Sequence, residues 1–110
     1  MKALEFMIEG SQGDEYRVVF EKNGAELHAF CSCPAGDNGI YCKHRFALMD
    51  GSVDALLSEN ETDLMTLQAW MTGTKLEAAY QRVTKAVKAL KRAKDECNAA
   101  KKVLAQVMYR

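Results

Sequence analysis

A chain of 110 residues that is 48% hydrophobic is one domain's worth of sequence, able to bury a modest core. No run approaches the ~20 apolar residues of a membrane span. Met1-Lys2-Ala3-Leu4-Glu5 starts no secretory leader, so the four cysteines are expected in a reducing compartment, the cytoplasm. Formal charge is zero, but residues 1–73 carry five basic against twelve acidic side chains, and residues 74–110 carry ten against three. A division of −7 and +7 suggests either a polyanionic partner for the second part or two parts that serve each other.

In chain order, the first third reads as strands. Leu4, Phe6 and Ile8 alternate with Glu5, Met7 and Glu9, and Tyr16, Val18 and Phe20 alternate with Arg17, Val19 and Glu21. Asn23-Gly24 is a hairpin signal, expected as a type I′ turn in which both residues take positive φ. The returning strand, Ala25 to about Cys31, places Leu27, Ala29, Cys31 and Cys33 on one side. His28 falls on the other side and is expected at the surface. A three-stranded antiparallel sheet follows.

At the end of that sheet stands Cys31-Ser32-Cys33-Pro34, then Cys42-Lys43-His44: C-x-C…C-x-H. Residues i and i+2 of an extended segment share a face, so Cys31 and Cys33 can grip one ion. Pro34, Gly36 and Gly39 make the connection flexible enough to return Cys42 and His44 to it. Three thiolates and an imidazole are a standard closed set for Zn²⁺, so one structural zinc is expected on Cys31, Cys33, Cys42 and His44. A disulfide between Cys31 and Cys33 would be strained, and a catalytic zinc would need an open position.

Phe30-Cys31-Ser32-Cys33-Pro34, Gly39 and Cys42-Lys43-His44 followed by Phe46, Ala47 and Leu48 resemble the SWIM-type zinc finger. The resemblance covers about residues 16 to 50. It implies a short β-hairpin leading into a helix with zinc pinning the junction. Members of that family occur in helicase-associated proteins, transposases, ubiquitin-ligase-like proteins and recombination factors, where the finger is taken to bind DNA or protein.

Lys43 to about Asp50 is expected as the finger's helix, stopped by Gly51, with Phe46, Leu48 and Met49 in the core. Lys43 and Arg45 could offset the site's negative charge or contact phosphate. Ser52 is placed to cap a short helix over residues 53–58. Asn60 or Thr62 could start another to about Met71, with Leu64, Leu67 and Met71 on one stripe and Trp70 beside it as core. Gly73 ends it, and Thr74-Lys75-Leu76-Glu77 is a capping box.

From there no Gly or Pro interrupts the chain, so a helix over 75–110 is expected, about 36 residues and ~54 Å long. Leu76, Ala79, Val83, Ala86, Leu90, Ala93, Cys97, Ala100, Leu104 and Val107 repeat at 3-4 spacing, an alternation of large and small that suits a coiled coil. Cys97 reads as a small buried hydrophobe of that seam. The stripe from Leu90 through Ala93, Cys97, Ala100 and Leu104 to Val107 needs a cover. Either the rest of the chain folds over it or a second chain does, and the second chain is the reading preferred.

The expected architecture is therefore α+β. Residues 1–51 form the sheet and zinc finger, and residues 52–110 form a helical region packed with it. No phosphate loop, carboxylate pair or nucleophile–base pair stands outside the zinc ligands. The expectation is a non-enzymatic interaction module that binds a protein partner or itself through the long helix, with no membrane and no small-molecule substrate. The alternative is a nucleic-acid-binding accessory protein using Lys85, Lys88, Lys91, Arg92, Lys94, Lys101 and Lys102.

Overall fold

The structure, a computed structural model, describes residues 1–109. Three antiparallel strands, β1 (Lys2–Glu9), β2 (Glu15–Asn23) and β3 (Glu26–Cys31), lie in the order β1-β2-β3. Four helices follow among the described residues: α1 (Pro34–Asp37), α2 (Lys43–Met49), α3 (Asp63–Met71) and α4 (Lys75–Met108). The α+β architecture expected from the sequence is the one found. The chain divides into two compact units, Met1–Tyr80 and Gln81 onward, with the boundary inside α4.

The alternating residues set the strand register. Phe6 pairs with Val18 and Val18 with Cys31, while Phe20 sits between Leu4 and Ala29. Successive side chains of a strand point to opposite faces, so this register gathers Phe6, Ile8, Val18, Phe20, Leu27 and Cys31 on one buried face. Phe6 and Phe20 meet edge to face, with ring centroids 6.0 Å apart. His28 lies on the exposed face beside Glu26.

The hairpin turn differs from the expected I′ form. Asn23 ends β2 by pairing with Glu26, which leaves Gly24 and Ala25 as the two loop residues. Gly24 takes φ +61° and no residue other than glycine has positive φ among those described. A single positive φ, on a glycine at the first loop position, is the pattern of a II′ turn. The chain uses the glycine and keeps Asn23 in the ladder.

The second unforeseen feature is the segment after α2. Gly51 (φ +82°) ends that helix as expected, but residues 53–58 form no helix. They run along the outer edge of β1, with a bridge between Ile8 and Leu56. Glu9 N–H donates to the Ala55 carbonyl (2.8 Å), Leu57 N–H donates to Met7 C=O (2.8 Å), and Met7 N–H donates to Ser58 Oγ (3.1 Å). Unpaired edge groups of a strand compete for backbone partners, and here they outweigh the helix-capping option of Ser52. Ser52 Oγ does accept a bond from Asp54 N–H, at 3.4 Å.

α3 forms where the stripe predicts it, with Leu64, Leu67 and Met71 buried. Thr62 occupies the cap position without a side-chain bond; Asn60 Nδ2 instead reaches Asp63 (3.1 Å) and the Glu5 carbonyl (2.7 Å). Trp70 is half-buried and packs on the core, as do Phe46, Leu76 and Tyr80. Gly73 (φ +78°) turns the chain into α4, and Thr74 caps it, with Glu77 reaching back one residue further than the expected capping box. Glu77 N–H donates to Thr74 Oγ (3.1 Å) while the Glu77 carboxylate accepts from Gly73 N–H (3.1 Å).

Candidate metal centre

Each ligand is placed by a different local device. Cys31 ends β3, and the chain beyond it stays tied to β2. Ser32 N–H donates to the Arg17 carbonyl (3.0 Å), and Arg17 N–H donates to Ser32 Oγ (2.9 Å). Cys33 is the N-cap of α1, its Sγ accepting from Gly36 N–H at 3.3 Å. Cys42 is the N-cap of α2, its Sγ accepting from Arg45 N–H at 3.4 Å. His44 is the second residue of α2. Two thiols thus sit at helix N-termini, where backbone N–H groups favour the thiolate.

The eight-residue connection is less slack than the sequence suggests, because it contains α1. Gly36 is needed there for space. A Cβ at that position would fall 2.2 Å from the Cys31 carbonyl oxygen and 2.8 Å from Cys31 Cβ. Gly39 supplies the turn after α1 with φ +71°.

The four ligand atoms all lie within 4.8 Å of one another. Sulfurs of a tetrahedral zinc site, at ~2.3 Å from the ion, stand about 3.8 Å apart, so one ion can be reached from all four. His44 Nδ1 is 3.9 Å from Cys31 Sγ, and His44 Nε2 is buried with no hydrogen-bond partner among the described residues. Nδ1, the nitrogen that faces the thiols, stands where a ligand atom is needed. The Tyr16 ring lies 5.1 Å from the imidazole and limits its rotation. Cys31, Cys33 and Cys42 are buried and unpaired by disulfides.

Electrostatics point the same way. Burial pushes the Cys31 thiol up to about 12, with the neighbouring thiols adding to it. Burial also raises Cys42, but the Arg45 backbone N–H, guanidinium hydrogen bond and charge outweigh it and leave this thiol below its usual value. His44 is held below its ordinary value by burial and by the charge of Lys43, which favours the neutral ring that a metal needs. Three thiolates cannot accumulate here without a cation to compensate them. Zn²⁺ supplies that compensation and takes the soft donor set.

Arg45 is the residue whose role the sequence left open, and the structure answers it. Its Nε donates to Cys42 Sγ (3.3 Å), one terminal nitrogen donates to the Ala29 carbonyl (3.1 Å) and the other to the Ile40 carbonyl. The guanidinium is thus committed inward, linking α2, β3 and the loop before Cys42; it is not a free phosphate contact. Only its position directly after the metal-ligating Cys42-Lys43-His44 hinted at this. Lys43, in contrast, is exposed.

A Cys₃His cluster with three buried thiols, built on a hairpin end and two helix N-termini, defines a zinc-finger site compatible with one structural zinc ion. The family model of the SWIM zinc finger matches residues 16–49, and the four ligands fit its C-x-C-x(n)-C-x-H pattern. No curated protein and no solved structure matches the chain.

The remaining candidate residues all lie on α4, in the second unit. Leu90 (71% exposed), Leu104 and Val107 of the apolar stripe are open to solvent, as are Ala93 and Ala100. Cys97, expected as a small hydrophobe buried in that seam, is exposed in the single chain as well. Lys85, Lys88, Lys91, Arg92, Lys94, Lys101 and Lys102 are exposed too. No described helix is long and apolar enough to cross a membrane.

Proposed function

We propose that this protein is a non-enzymatic interaction module. The zinc site fixes the sheet and its helices, and the later part of α4 is the surface that engages another protein chain. The single observation that carries this reading is the solvent exposure of the α4 stripe, from Leu90 to Val107, in a helix with no buried residue. An apolar stripe sustained over three heptads and left open marks an association surface. Four protein ligands that close the shell support a metal that serves folding and not turnover. Light scattering of the purified chain should give a mass above that of the monomer at micromolar concentration, falling on dilution. A monomer at high micromolar concentration, with no protein captured from the native cell, would end this reading.

A second reading is favoured by seven of the exposed cations of α4, from Lys85 to Lys102, which could meet nucleic-acid phosphates. Binding of that kind weakens with salt at about one logarithmic unit per phosphate contacted, whereas an apolar seam changes little. Titration of duplex and single-stranded DNA at two salt concentrations separates the two. No DNA affinity at low salt removes the second reading.

A further inference from the structure

Resting on the association just proposed, we infer that the partner of α4 is a second copy of the chain, paired parallel and in register from Val83 onward. With Val83, Leu90, Cys97 and Leu104 at one seam position and Ala86, Ala93, Ala100 and Val107 at the other, the flanks are fixed. One flank is Val87, Lys94, Lys101 and Met108; the other is Arg82, Ala89, Glu96 and Val103. The remaining cations, Lys85, Lys88, Lys91, Arg92 and Lys102, lie on the outward positions, so most of the positive charge stays away from the interface. Repulsion between two basic helices is then largely screened by solvent.

In a parallel pair, each flank residue meets the one five positions later on the other helix. Glu96 then faces the partner's Lys101, and symmetry makes this contact twice. Val103 faces the partner's Met108, which accounts for two exposed apolar residues outside the seam (59% and 74% exposed). Arg82 meets Val87 and Ala89 meets Lys94, so no like charges face each other.

Antiparallel pairing meets a conflict in each register of long overlap. With Cys97 on the partner's Ala93, Glu96 faces its own symmetry copy and so does Lys94. With Cys97 on the partner's Ala100, Lys94 faces Lys101 on both sides. The register with Leu90 on the partner's Ala93 avoids these contacts, but it requires Leu104 and Val107 to lie on Ala79 and Leu76. That turn is already engaged, because Leu76 and Tyr80 pack on the core of their own chain. Parallel pairing alone leaves both charge and packing satisfied.

Sedimentation equilibrium of Glu96→Lys, Lys101→Glu and the double variant tests the register. Each single reversal should weaken the dimer about five-fold, and the double should return to within about two-fold of the original. Equal losses in the double variant would overturn the assignment. Orientation is read with nitroxide labels on Gln106→Cys in a zinc-loaded Cys97→Ala background, Cys97→Ala alone being the blank. Parallel helices hold the labels at one axial level, about 20 Å apart, whereas the clash-free antiparallel register separates them by roughly 44 Å. A long distance in a dimer overturns the parallel inference and leaves self-association standing. A monomer overturns both.

Discussion

At the scale of single residues the zinc site is set by what surrounds the four ligands. Arg45 gives its Nε to Cys42 Sγ and its terminal nitrogens to two backbone carbonyls. Loss of such a supporting partner usually costs 10–100-fold in metal affinity. Arg45→Ala should therefore weaken zinc by about that factor in a competition with a chromogenic chelator, with the four ligands intact. Lysine should not restore it, since one ammonium cannot make three contacts in the plane of a guanidinium. His44→Ala removes a ligand and exposes Cys31 to an uncompensated neighbourhood; bound zinc by elemental analysis should fall and the thermal melt should drop with it. Gly36→Ala tests the close approach of α1 to Cys31. A methyl group 2.2 Å from a carbonyl oxygen forces α1 away, and the expected cost is about 1–3 kcal/mol in chemical denaturation.

At the scale of elements, stops and caps carry much of the definition. Thr74 is buried, its Oγ donates to the Met71 carbonyl (2.7 Å) and accepts from Glu77 N–H. Thr74→Ala should destabilise the unit by about 1 kcal/mol, and Thr74→Ser should recover most of it, as read from urea midpoints. The strands, α2, α3 and α4 were legible because periodicity, Gly51, Gly73 and the T-x-x-E box all agree on them. Residues 53–58 were not. What places them is backbone pairing with Met7, Ile8 and Glu9, and backbone groups carry no side-chain signature. The helix α1 was missed because it is four residues long and capped by a cysteine, a residue with no helix-capping reputation. The turn was misread by one position, since Asn-Gly can be either the whole loop or the last strand residue plus the first loop residue. The metal ligands were fully legible from spacing; the guanidinium behind Cys42 was not, because its partners Ala29 and Ile40 are distant in sequence.

At the scale of the whole molecule the zinc site joins the end of β3 to α1 and α2 within the Met1–Tyr80 unit, whose core also holds Leu67 and Met71 of α3. A dication that bridges three elements contributes directly to folding, so a chelator should lower the melting temperature of this unit by about 10 °C or more, and added Zn²⁺ should reverse the change. Helix α4 has a different origin of stability. Beyond Tyr80 it has no buried residue, and a helix in that state depends on its own propensity or on what it docks against. A sheet of three strands would ordinarily present β1 as a template on which a stranger's strand could grow. Here residues 55–58 of the same chain already occupy those hydrogen bonds, with Leu56 bridged to Ile8. The protein carries its own stopper against fibre-like accretion along that border.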